Sequence, residues 1–392
     1  MKIKNNIYNR GLKMENLIYY DNASTSYPKF DRFYRETMEI YKECGINFSR
    51  NNSEKSENAR KIKEKLIKNL QKIFSTNNDV ILNSSATFSL NEILFGLDYL
   101  NIKIIYISPF EHNSSYRAIK KIVKEKDVQL KILKFNKFDL DFEDMKKQFM
   151  TQKPDLIVCN HASNVFGNIL PVEKIFKEAK KYRAITVLDA TQTGGILDFQ
   201  EIAKISDFMV FAGHKNLYGP SGIGGYIYNR KVTLNPLLYG GTGIKSEDED
   251  MPIDLPERFE AGSPNILGII GLKISTEELL KIGIEKIKKK KTENIEKLYD
   301  VLKVFSYDLK ILSEKKNNIG IISIIGKDYT PQELEEIFND EGIVIRRGLH
   351  CAPLAHKHIG TIDSFGTVRL SVGYFNNDED LEKFKNILES IF

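Results

Sequence analysis

The stretch AITVLDATQTGG, residues 184–195, is a short apolar run that ends abruptly in polar residues, and DFMVFAGHK, residues 207–215, repeats this pattern. Similar runs precede and follow them: DVILNSSA (79–86), IKIIYISP (102–109), DLIVCNHAS (155–163) and GIGGYIYN (222–229). Amphipathic helical patterns lie between most of these runs, which is typical of an α/β fold with helices around a mostly parallel, buried sheet. Ligands of open α/β sheets bind at the carboxyl ends of the strands, so we expect the functional site where the first five runs end.

A different pattern begins after Tyr228. The segment YGGTGIKSEDEDMPIDLPERFEAGSPN (239–265) is a long loop rich in glycine, proline and acidic residues, and a long helical region follows from about Ile266 to Phe305. The later runs predict a smaller α+β domain: NIGIISIIG (318–326), TPQELEEIFND (330–340), GTVRLSVGYFN (366–376) and DEDLEKFKNILESIF (378–392). We therefore expect an N-terminal extension over residues 1–18 that is disordered at its start, a large domain over residues 19–260 and a small domain over residues 261–392 joined by a long helix.

The composition excludes several classes of protein. The chain has 392 residues, of which 41% are hydrophobic, and its net charge is only +5. The basic block KIKKKK (286–291) lies in a helical pattern, so we expect its lysines to form a solvated face and expect no nucleic-acid partner. Cys44, Cys159 and Cys351 are too few and too widely spaced for a disulfide framework or a zinc site. The chain has no secretory signal and no run of about 18 apolar residues, which predicts a cytoplasmic protein without a membrane span.

Ser84, Ser85 and Thr87 mark a candidate anion site. They lie where the apolar run VILN (80–83) leads into the helical pattern ATFSLNEILFGL (86–97). Exposed N–H groups and hydroxyls at a helix N-terminus bind anions. Hydroxyl residues also cap helices at this position, and the residues by themselves favour neither interpretation.

Asp189 and Lys215 end the two neighbouring runs quoted first. A carboxylate at a buried strand end needs a partner, and the protonated ring nitrogen of pyridoxal phosphate is a suitable one; an aspartate that caps a loop is the alternative. Lys215 lies in a glycine-rich turn, where partial desolvation lowers the pKa of a lysine and favours Schiff-base formation. Because adjacent strands end close together, the pair predicts one site that binds an aldehyde cofactor.

These motifs together resemble the class V aminotransferase family of pyridoxal phosphate enzymes. The strand-end Asp-x-x-Gln, FAGHK (211–215) and GPSGIGG (219–225) resemble that family, and RRGLHCAPLAH (346–356) resembles its cysteine desulfurase branch. The resemblance extends from YYDNAST at Tyr19 to Asn376, with the motifs in the family order. It implies a fold-type I architecture, a pyridoxal phosphate cofactor and a homodimer with shared sites.

The resemblance also implies roles for individual residues. Lys215 would hold the cofactor aldehyde, Asp189 would pair with the ring nitrogen, Gln192 would bind the phenolic oxygen and His112 would stack on the ring and carry protons. Thr87, Ala86 and His214 would hold the phosphate, and Ser263 would reach the phosphate of the neighbouring subunit. Asn22, Asn164 and Arg369 would bind the substrate, with Arg369 clamping its carboxylate and Asn164 also touching the cofactor.

Cys351 decides the reaction that the resemblance implies. Cys159 lies inside a predicted strand and Cys44 has no evident role, whereas Cys351 lies in a loop with His350, His356 and His358 nearby, where a thiolate can be accessible and stabilised. The resemblance makes it the nucleophile that takes sulfur from L-cysteine as a persulfide and leaves L-alanine. An acceptor or scaffold protein would then take that sulfur for iron–sulfur clusters or thiolated cofactors.

Other functions remain open at this point. Relatives with the same fold include selenocysteine lyases, cysteine sulfinate desulfinases and aminotransferases, the last of which would not need Cys351. A nucleotide- or nucleic-acid-binding scaffold is the alternative outside enzymes, but GIGG and GGTG do not form a dinucleotide-binding fingerprint. Three departures from the family concern substrate preference: Ala212 replaces a hydroxyl residue, Phe88 replaces an acidic residue, and residues 50–52 read Arg-Asn-Asn in place of a glycine-rich turn.

Overall fold

A computed structural model describes residues 17–45, 53–244 and 247–392. The start of the predicted N-terminal extension and the Arg50–Asn52 turn lie outside the described residues. The helices are α1 (Asp31–Cys44), α2 (Glu54–Ile73), α3 (Ala86–Gly96), α4 (Asn113–Glu125), α5 (Phe142–Thr151), α6 (Val172–Lys180), α7 (Ile202–Ile205), α8 (Ile266–Ile282), α9 (Ile284–Val304), α10 (Pro331–Asp340), α11 (Pro353–Ile359) and α12 (Asp378–Ile391).

The strands follow the apolar runs closely. They are β1 (Ile18–Tyr19), β2 (Asp79–Asn83), β3 (Ile104–Ile107), β4 (Gln129–Ile132), β5 (Phe135–Asn136), β6 (Asp139–Leu140), β7 (Leu156–Asn160), β8 (Ile185–Asp189), β9 (Phe208–Ala212), β10 (Gly224–Tyr228), β11 (Leu309–Ile311), β12 (Ile321–Gly326), β13 (Ile343–Val344), β14 (Arg346–Gly348) and β15 (Thr367–Ser371).

A seven-stranded sheet in the order β2-β10-β9-β8-β7-β3-β4 forms the centre of the molecule. Only β10 runs against the other strands of this sheet, so the predicted α/β fold with a mostly parallel central sheet is confirmed. The carboxyl ends of β2, β3, β7, β8 and β9 therefore meet at one edge. Sequence analysis missed β4, because QLKI is a partly exposed edge strand without a continuous apolar run.

Alternate residues of each central strand pack on opposite faces of this sheet. In β9, Met209 and Phe211 join a core that includes residues of α2, α5, α6 and α8, while Phe208 and Val210 join a core with residues of α3 and α4. The sheet is thus buried on both faces, which explains why its strands are continuous apolar runs rather than alternating ones.

The C-terminal part forms a four-stranded antiparallel sheet, β11-β12-β15-β14, with its own core packed by α9, α10 and α12. The N-terminal strand β1 pairs with β13, and Asp21 bridges to Ser371 at the end of β15, so the start of the described chain lies against this C-terminal unit. The domain boundary near residue 260 stays a prediction. The predicted long helix is two helices, because Gly283 at φ 94° interrupts it between α8 and α9.

The basic block of α9 does not behave uniformly. Lys286, Lys288 and Lys289 are exposed as expected, but Lys291 is buried with only 5% of its surface exposed. Lys291 lies one turn after the buried Ile287 on the same helical face. The expectation that all lysines of this block are solvated is therefore wrong for Lys291. Among the described residues, no helix combines the length and apolar character that crossing a bilayer requires.

Gly225 tests how tightly the central sheet is packed. A Cβ atom at this position in β10 would lie 2.1 Å from the carbonyl oxygen of Ile81 and 2.7 Å from the Phe211 ring. We expect Gly225→Ala to lower the free energy of unfolding by about 1–3 kcal/mol, the usual cost of overpacking a core. Thermal unfolding of the variant and of the unmodified protein measures this change in stability. Gly240→Ala is the matched control, because its Cβ would meet only a side-chain carbon 4.0 Å away. Equal stability of the two variants would contradict the packing described.

Candidate active site

A pocket lies at the carboxyl edge of the central sheet, where the loops after five strands converge. Its walls include Thr87 after β2, His112 after β3, Asn164 after β7, Asp189 at the end of β8 and Lys215 after β9. The N-terminal segment contributes Ala23 and Ser24, and the C-terminal unit contributes Arg346 and Arg369. The parallel sheet thus brings together residues that sequence analysis had predicted one strand at a time.

The amine of Lys215 is partly desolvated in this pocket. Burial lowers the pKa of Lys215 to about 8, the carboxylate of Asp189 opposes this effect, and the guanidinium groups of Arg369 and Arg346 add to it. The side chain is half-buried, and within the described chain Nζ donates no hydrogen bond. The free, nucleophilic form of the amine is therefore far more populated near neutral pH than in an ordinary lysine.

Asp189 uses its two carboxylate oxygens differently. Oδ1 accepts a hydrogen bond of 2.9 Å from the backbone N–H of Thr191, which is the loop-capping contact considered as the alternative. Oδ2 has no hydrogen-bond partner among the residues that the structure describes. One oxygen thus fixes the DATQ turn, and the other remains available to a ligand in the same pocket as Lys215.

His112 is held in its neutral form. It caps α4, where Nδ1 accepts from the backbone N–H of Ser114 at 3.1 Å and lies 2.8 Å from the Ser114 hydroxyl. Desolvation, with the charge of Lys215 as the next cause, lowers the pKa of His112 to about 3. Because Nδ1 accepts the backbone N–H, the ring proton must lie on Nε2. His112 can therefore offer a neutral aromatic face and one N–H donor.

The N-terminus of α3 forms part of the pocket wall. Ser85 caps this helix, with its hydroxyl accepting from the N–H of Phe88 at 3.1 Å, while Ala86 and Thr87 line the pocket beside it. Capping and anion binding are therefore compatible here, because different residues serve them. Ala212, which replaces a hydroxyl residue, also lines the pocket, and the hydroxyl of Thr191 stands in the same pocket.

Arg369 reaches the pocket from β15 and is almost fully buried. Nη2 donates to Asp21 Oδ1 at 2.7 Å and to Ser24 Oγ at 2.8 Å, and Nη1 donates to the carbonyl of Asn164 at 2.9 Å. A guanidinium has five N–H donors, so about two remain for a substrate group. The Asn164 amide donates to the carbonyl of His350 at 2.7 Å and keeps Oδ1 unpaired.

Cys351 lies in the loop that precedes α11, with its side chain partly exposed. Arg346 Nη2 lies 3.5 Å from Sγ, and both His350 and Cys351 have positive φ angles, of 47° and 57°. The three nearby histidines bond elsewhere: His350 to Thr367, His356 to Thr361 and His358 to the carbonyl of Lys137. The cation beside the thiol is therefore a guanidinium and not an imidazole. Sequence analysis missed Arg346, although it stands five positions before the cysteine.

Three predicted residues have contacts that differ from the expected ones. Asn22 does not line the pocket, because its amide bonds Ser371, Asn376 and the N–H of Tyr27 within the protein. The adjacent Ala23 and Ser24 take its place in the wall. Ser263 is exposed and lines a separate cavity of its own chain. Gln192 lines the pocket, and its Nε2 donates to the carbonyl of Ala23 at 3.0 Å, which leaves one amide hydrogen for a ligand.

The polar groups of the pocket suit pyridoxal phosphate with a bound amino acid. Four residues of its wall have a buried polar atom without a partner in the described chain: Asn164 Oδ1, Thr191 Oγ1, His214 Nδ1 and Arg369 Nε. Buried polar atoms in proteins are normally hydrogen-bonded, so this concentration indicates that a polar ligand completes the site. The same pocket contains the amine of Lys215 and the carboxylate of Asp189. The N-terminus of α3 adds backbone N–H groups that can bind an anion.

Known proteins resemble this chain over nearly its full length. The family model described as Aminotransferase class-V matches residues 18–384. A probable cysteine desulfurase of Pyrococcus abyssi is 30% identical, with 96% of this chain and 94% of that protein covered. One from Methanothermobacter thermautotrophicus is 29% identical, with 95% and 94% covered. The apo structure of a cysteine desulfurase from Thermococcus onnurineus NA1 has a TM-score of 0.88 at 27% identity, covering 96% of this chain and 95% of that one.

These similarities agree with the order of motifs along the sequence and with the arrangement of the pocket. The predicted fold-type I architecture and the predicted family are both confirmed. The chain belongs to the aminotransferase class-V family.

Proposed function

We propose that this chain is a cysteine desulfurase that depends on pyridoxal phosphate and converts L-cysteine to L-alanine, with sulfur passing to Cys351. The observation that carries the proposal is an arrangement of three groups: the desolvated amine of Lys215 and the guanidinium of Arg369 line one pocket, and the Cys351 thiol contacts Arg346, which lines the same pocket. Relatives that cover almost the whole chain bear the name cysteine desulfurase, which supports the same activity.

The residues of the pocket would hold the cofactor by its ends and its faces. Lys215 would bind its aldehyde, Asp189 Oδ2 its ring nitrogen, Gln192 its phenolic oxygen and His112 one ring face. The phosphate would be held by the side chains of Thr87, Thr191 and His214 and by the backbone N–H groups near Ala86. When bound, pyridoxal phosphate supplies an electrophilic aldehyde and a ring that accepts an electron pair from the substrate Cα.

Substrate binding would use Arg369 and Asn164. The two free donors of Arg369 and the unpaired Oδ1 of Asn164 are suited to the carboxylate and amino group of an amino acid. The contact between Nη1 and the Asn164 carbonyl fixes the two side chains relative to each other. Lys215 then takes a proton at Nζ, which a lowered pKa allows near neutral pH.

Sulfur transfer would follow at Cys351. The thiolate attacks the substrate sulfur, an S–S bond forms and the C–S bond of the substrate breaks. The electron pair of that bond stays with the carbon fragment, which takes up a proton and leaves as alanine. Arg346 Nη2, 3.5 Å from Sγ, can donate a hydrogen bond to the sulfur and orient it for attack. An acceptor protein would remove the sulfur by thiol exchange.

The wider assembly is part of the same proposal. Ser263 lies outside the pocket of its own chain, as a residue that serves a neighbouring subunit would, so we propose a homodimer with shared sites. The alternative activities of the family, selenocysteine lyase, cysteine sulfinate desulfinase and aminotransferase, differ in their need for Cys351. A cytoplasmic location remains a prediction.

The pKa of Lys215 gives a first test. Because this pKa is lowered to about 8, the free amine appears as the pH rises through that value, well below the range of an ordinary lysine. We expect cofactor-free protein to form a borohydride-reducible adduct with pyridoxal phosphate at a rate that rises with pH to a plateau, with its midpoint near pH 8. Lys215→Ala should form no adduct at this position.

Removing the negative charge of Asp189 tests what sets this pKa. Asp189 raises the pKa of Lys215, so Asp189→Asn should move the midpoint to lower pH by about one unit. Asp198→Asn changes an exposed carboxylate that only caps its own loop and should leave the midpoint in place. A midpoint near the value of a free lysine in the unmodified protein would refute the proposed environment.

Cys351 tests the reaction itself. After incubation with L-cysteine, mass spectrometry of the peptide that contains Cys351 should show one added sulfur atom together with an equal amount of alanine. Cys351→Ala should keep the Lys215 adduct but release alanine at least about a hundredfold more slowly, because the nucleophile is gone. Cys44→Ala should behave like the unmodified protein. Unchanged release of alanine by Cys351→Ala would contradict the proposed transfer of sulfur to Cys351.

Arg346 tests the activation of the thiol. Arg346→Ala should slow alkylation of Cys351 by iodoacetamide about three- to tenfold at neutral pH, since reactive cysteines have electropositive surroundings and this variant removes the guanidinium next to Sγ. Arg347→Ala is the matched control, because Arg347 pairs with Glu335 on α10. If both variants react equally fast, Arg346 does not activate the sulfur.

A further inference from the structure

Lys291 has a buried amine that the proposed reaction does not use. It lies on the buried face of α9, and among the described residues it forms no ion pair with a carboxylate. Gly320, at φ 99°, leaves room for its stem, since a Cβ there would lie 3.1 Å from Lys291 Cε. Burying a lysine without an acid partner is costly, so its amine depends on the hydrogen bond that it makes inside the protein.

A chain of hydrogen bonds leads from Lys291 into the active site. Nζ donates to Asn216 Oδ1 at 2.7 Å, and Asn216 Nδ2 donates to the carbonyl of Gln192 at 2.8 Å. Gln192 Nε2 in turn donates to the carbonyl of Ala23. Asn216 directly follows Lys215 in the chain, and both Gln192 and Ala23 line the pocket.

The contacts of the Asn216 amide match its two ends. The Gln192 carbonyl can only accept a hydrogen bond, so the amide nitrogen must face it and the amide oxygen faces Lys291, whose amine can donate to it. The reversed amide would place an oxygen against the carbonyl of Gln192. Asn216 is itself 95% buried, being 5% exposed, so water cannot easily replace either contact.

A second lysine holds the other side of the same turn. Lys29 Nζ donates to the carbonyl of His214 at 3.0 Å and to Ser26 Oγ at 2.8 Å. Desolvation lowers the pKa of Lys29 to about 8 and that of Lys291 to about 7. The residues immediately before and after Lys215 are thus each bound by a lysine from another part of the chain, of which Lys29 is half-buried and Lys291 is buried.

We propose that Lys291 is a positioning residue for the active site, which acts through Asn216 to fix the Gln192 turn and the backbone that carries Lys215. This inference rests on the proposed function, in which Lys215 and Gln192 bind the cofactor. Lys291 touches neither the cofactor nor the substrate in this arrangement. Lys29 supports the preceding carbonyl from the opposite side.

Lys291→Met is the first test, with Lys289→Met as control because Lys289 lies exposed on the same helix. In cofactor-free protein, hydrogen exchange of the segment 189–196 should become about tenfold faster in Lys291→Met only, the effect expected for one lost hydrogen bond to a charged group. The same variant should form the borohydride-reducible adduct with pyridoxal phosphate about tenfold more slowly. Exchange that stays at the unmodified rate, or that rises equally across the whole chain, would overturn the proposal.

Asn216→Asp tests the contact with Gln192 separately from the contact with Lys291. It is also the second test if Lys291→Met does not fold. The aspartate keeps its shape and its bond to Lys291, but it loses the N–H that binds the Gln192 carbonyl. We expect a melting temperature close to that of the unmodified protein together with faster exchange of residues 189–196. Slow exchange in this variant would contradict the proposal. An unmodified protein that forms no adduct at Lys215 would refute the proposed function, whereas the exchange experiment needs no cofactor and decides on Lys291 separately.

Discussion

The balance of charge around Lys215 is the constraint on which the active site depends. A lysine amine is a nucleophile only in its deprotonated form, and a lower pKa makes more of that form at neutral pH. Here burial and two guanidinium groups lower the pKa of Lys215, while Asp189 limits the fall. Asp21 binds Arg369 at 2.7 Å and so neutralises part of one of these cations. The carboxylate and guanidinium groups therefore set both the binding of a ligand and the reactivity of the amine.

Residues that support the pocket from behind, here called its supports, can be compared with residues that line it by asking whether their polar atoms are hydrogen-bonded within the protein. The residues that hold the site, such as Asn22 with its bonds to Ser371, Asn376 and Tyr27, use both ends of their amide within the protein. The wall of the pocket has unpaired atoms at Asn164, Thr191 and Arg369. The paired amide of Asn22 and the unpaired Oδ1 of Asn164 illustrate this difference between a residue behind the wall and one in it. Lys291 and Asn216 belong to the supports, because their polar atoms are satisfied inside the protein.

The two halves of the chain meet at this pocket. The parallel sheet supplies Asp189 and Lys215, and β15 supplies Arg369, while Cys351 in the loop before α11 contacts Arg346 of the pocket wall. The N-terminal segment connects them, since Tyr20 donates to Val344, and Asn22 and Ala23 bond Ser371. A site assembled in this way needs the C-terminal unit in place before a thiol can approach the substrate sulfur.

The sequence by itself determined the central strands, their polar ends and the family, because buried parallel strands leave continuous apolar runs and the glycine-rich motifs depend on local backbone geometry. It also predicted Lys215 and Asp189 as residues of one site, since parallel strands end at one edge, whereas Arg369 followed only from the family resemblance. Only the tertiary structure decided that Lys291 is buried, that Arg346 rather than a histidine adjoins Cys351, and that Asn22 lies behind the wall. These three facts depend on contacts between segments far apart in the chain, and helical or strand periodicity contains no information about which distant side chain fills a given space.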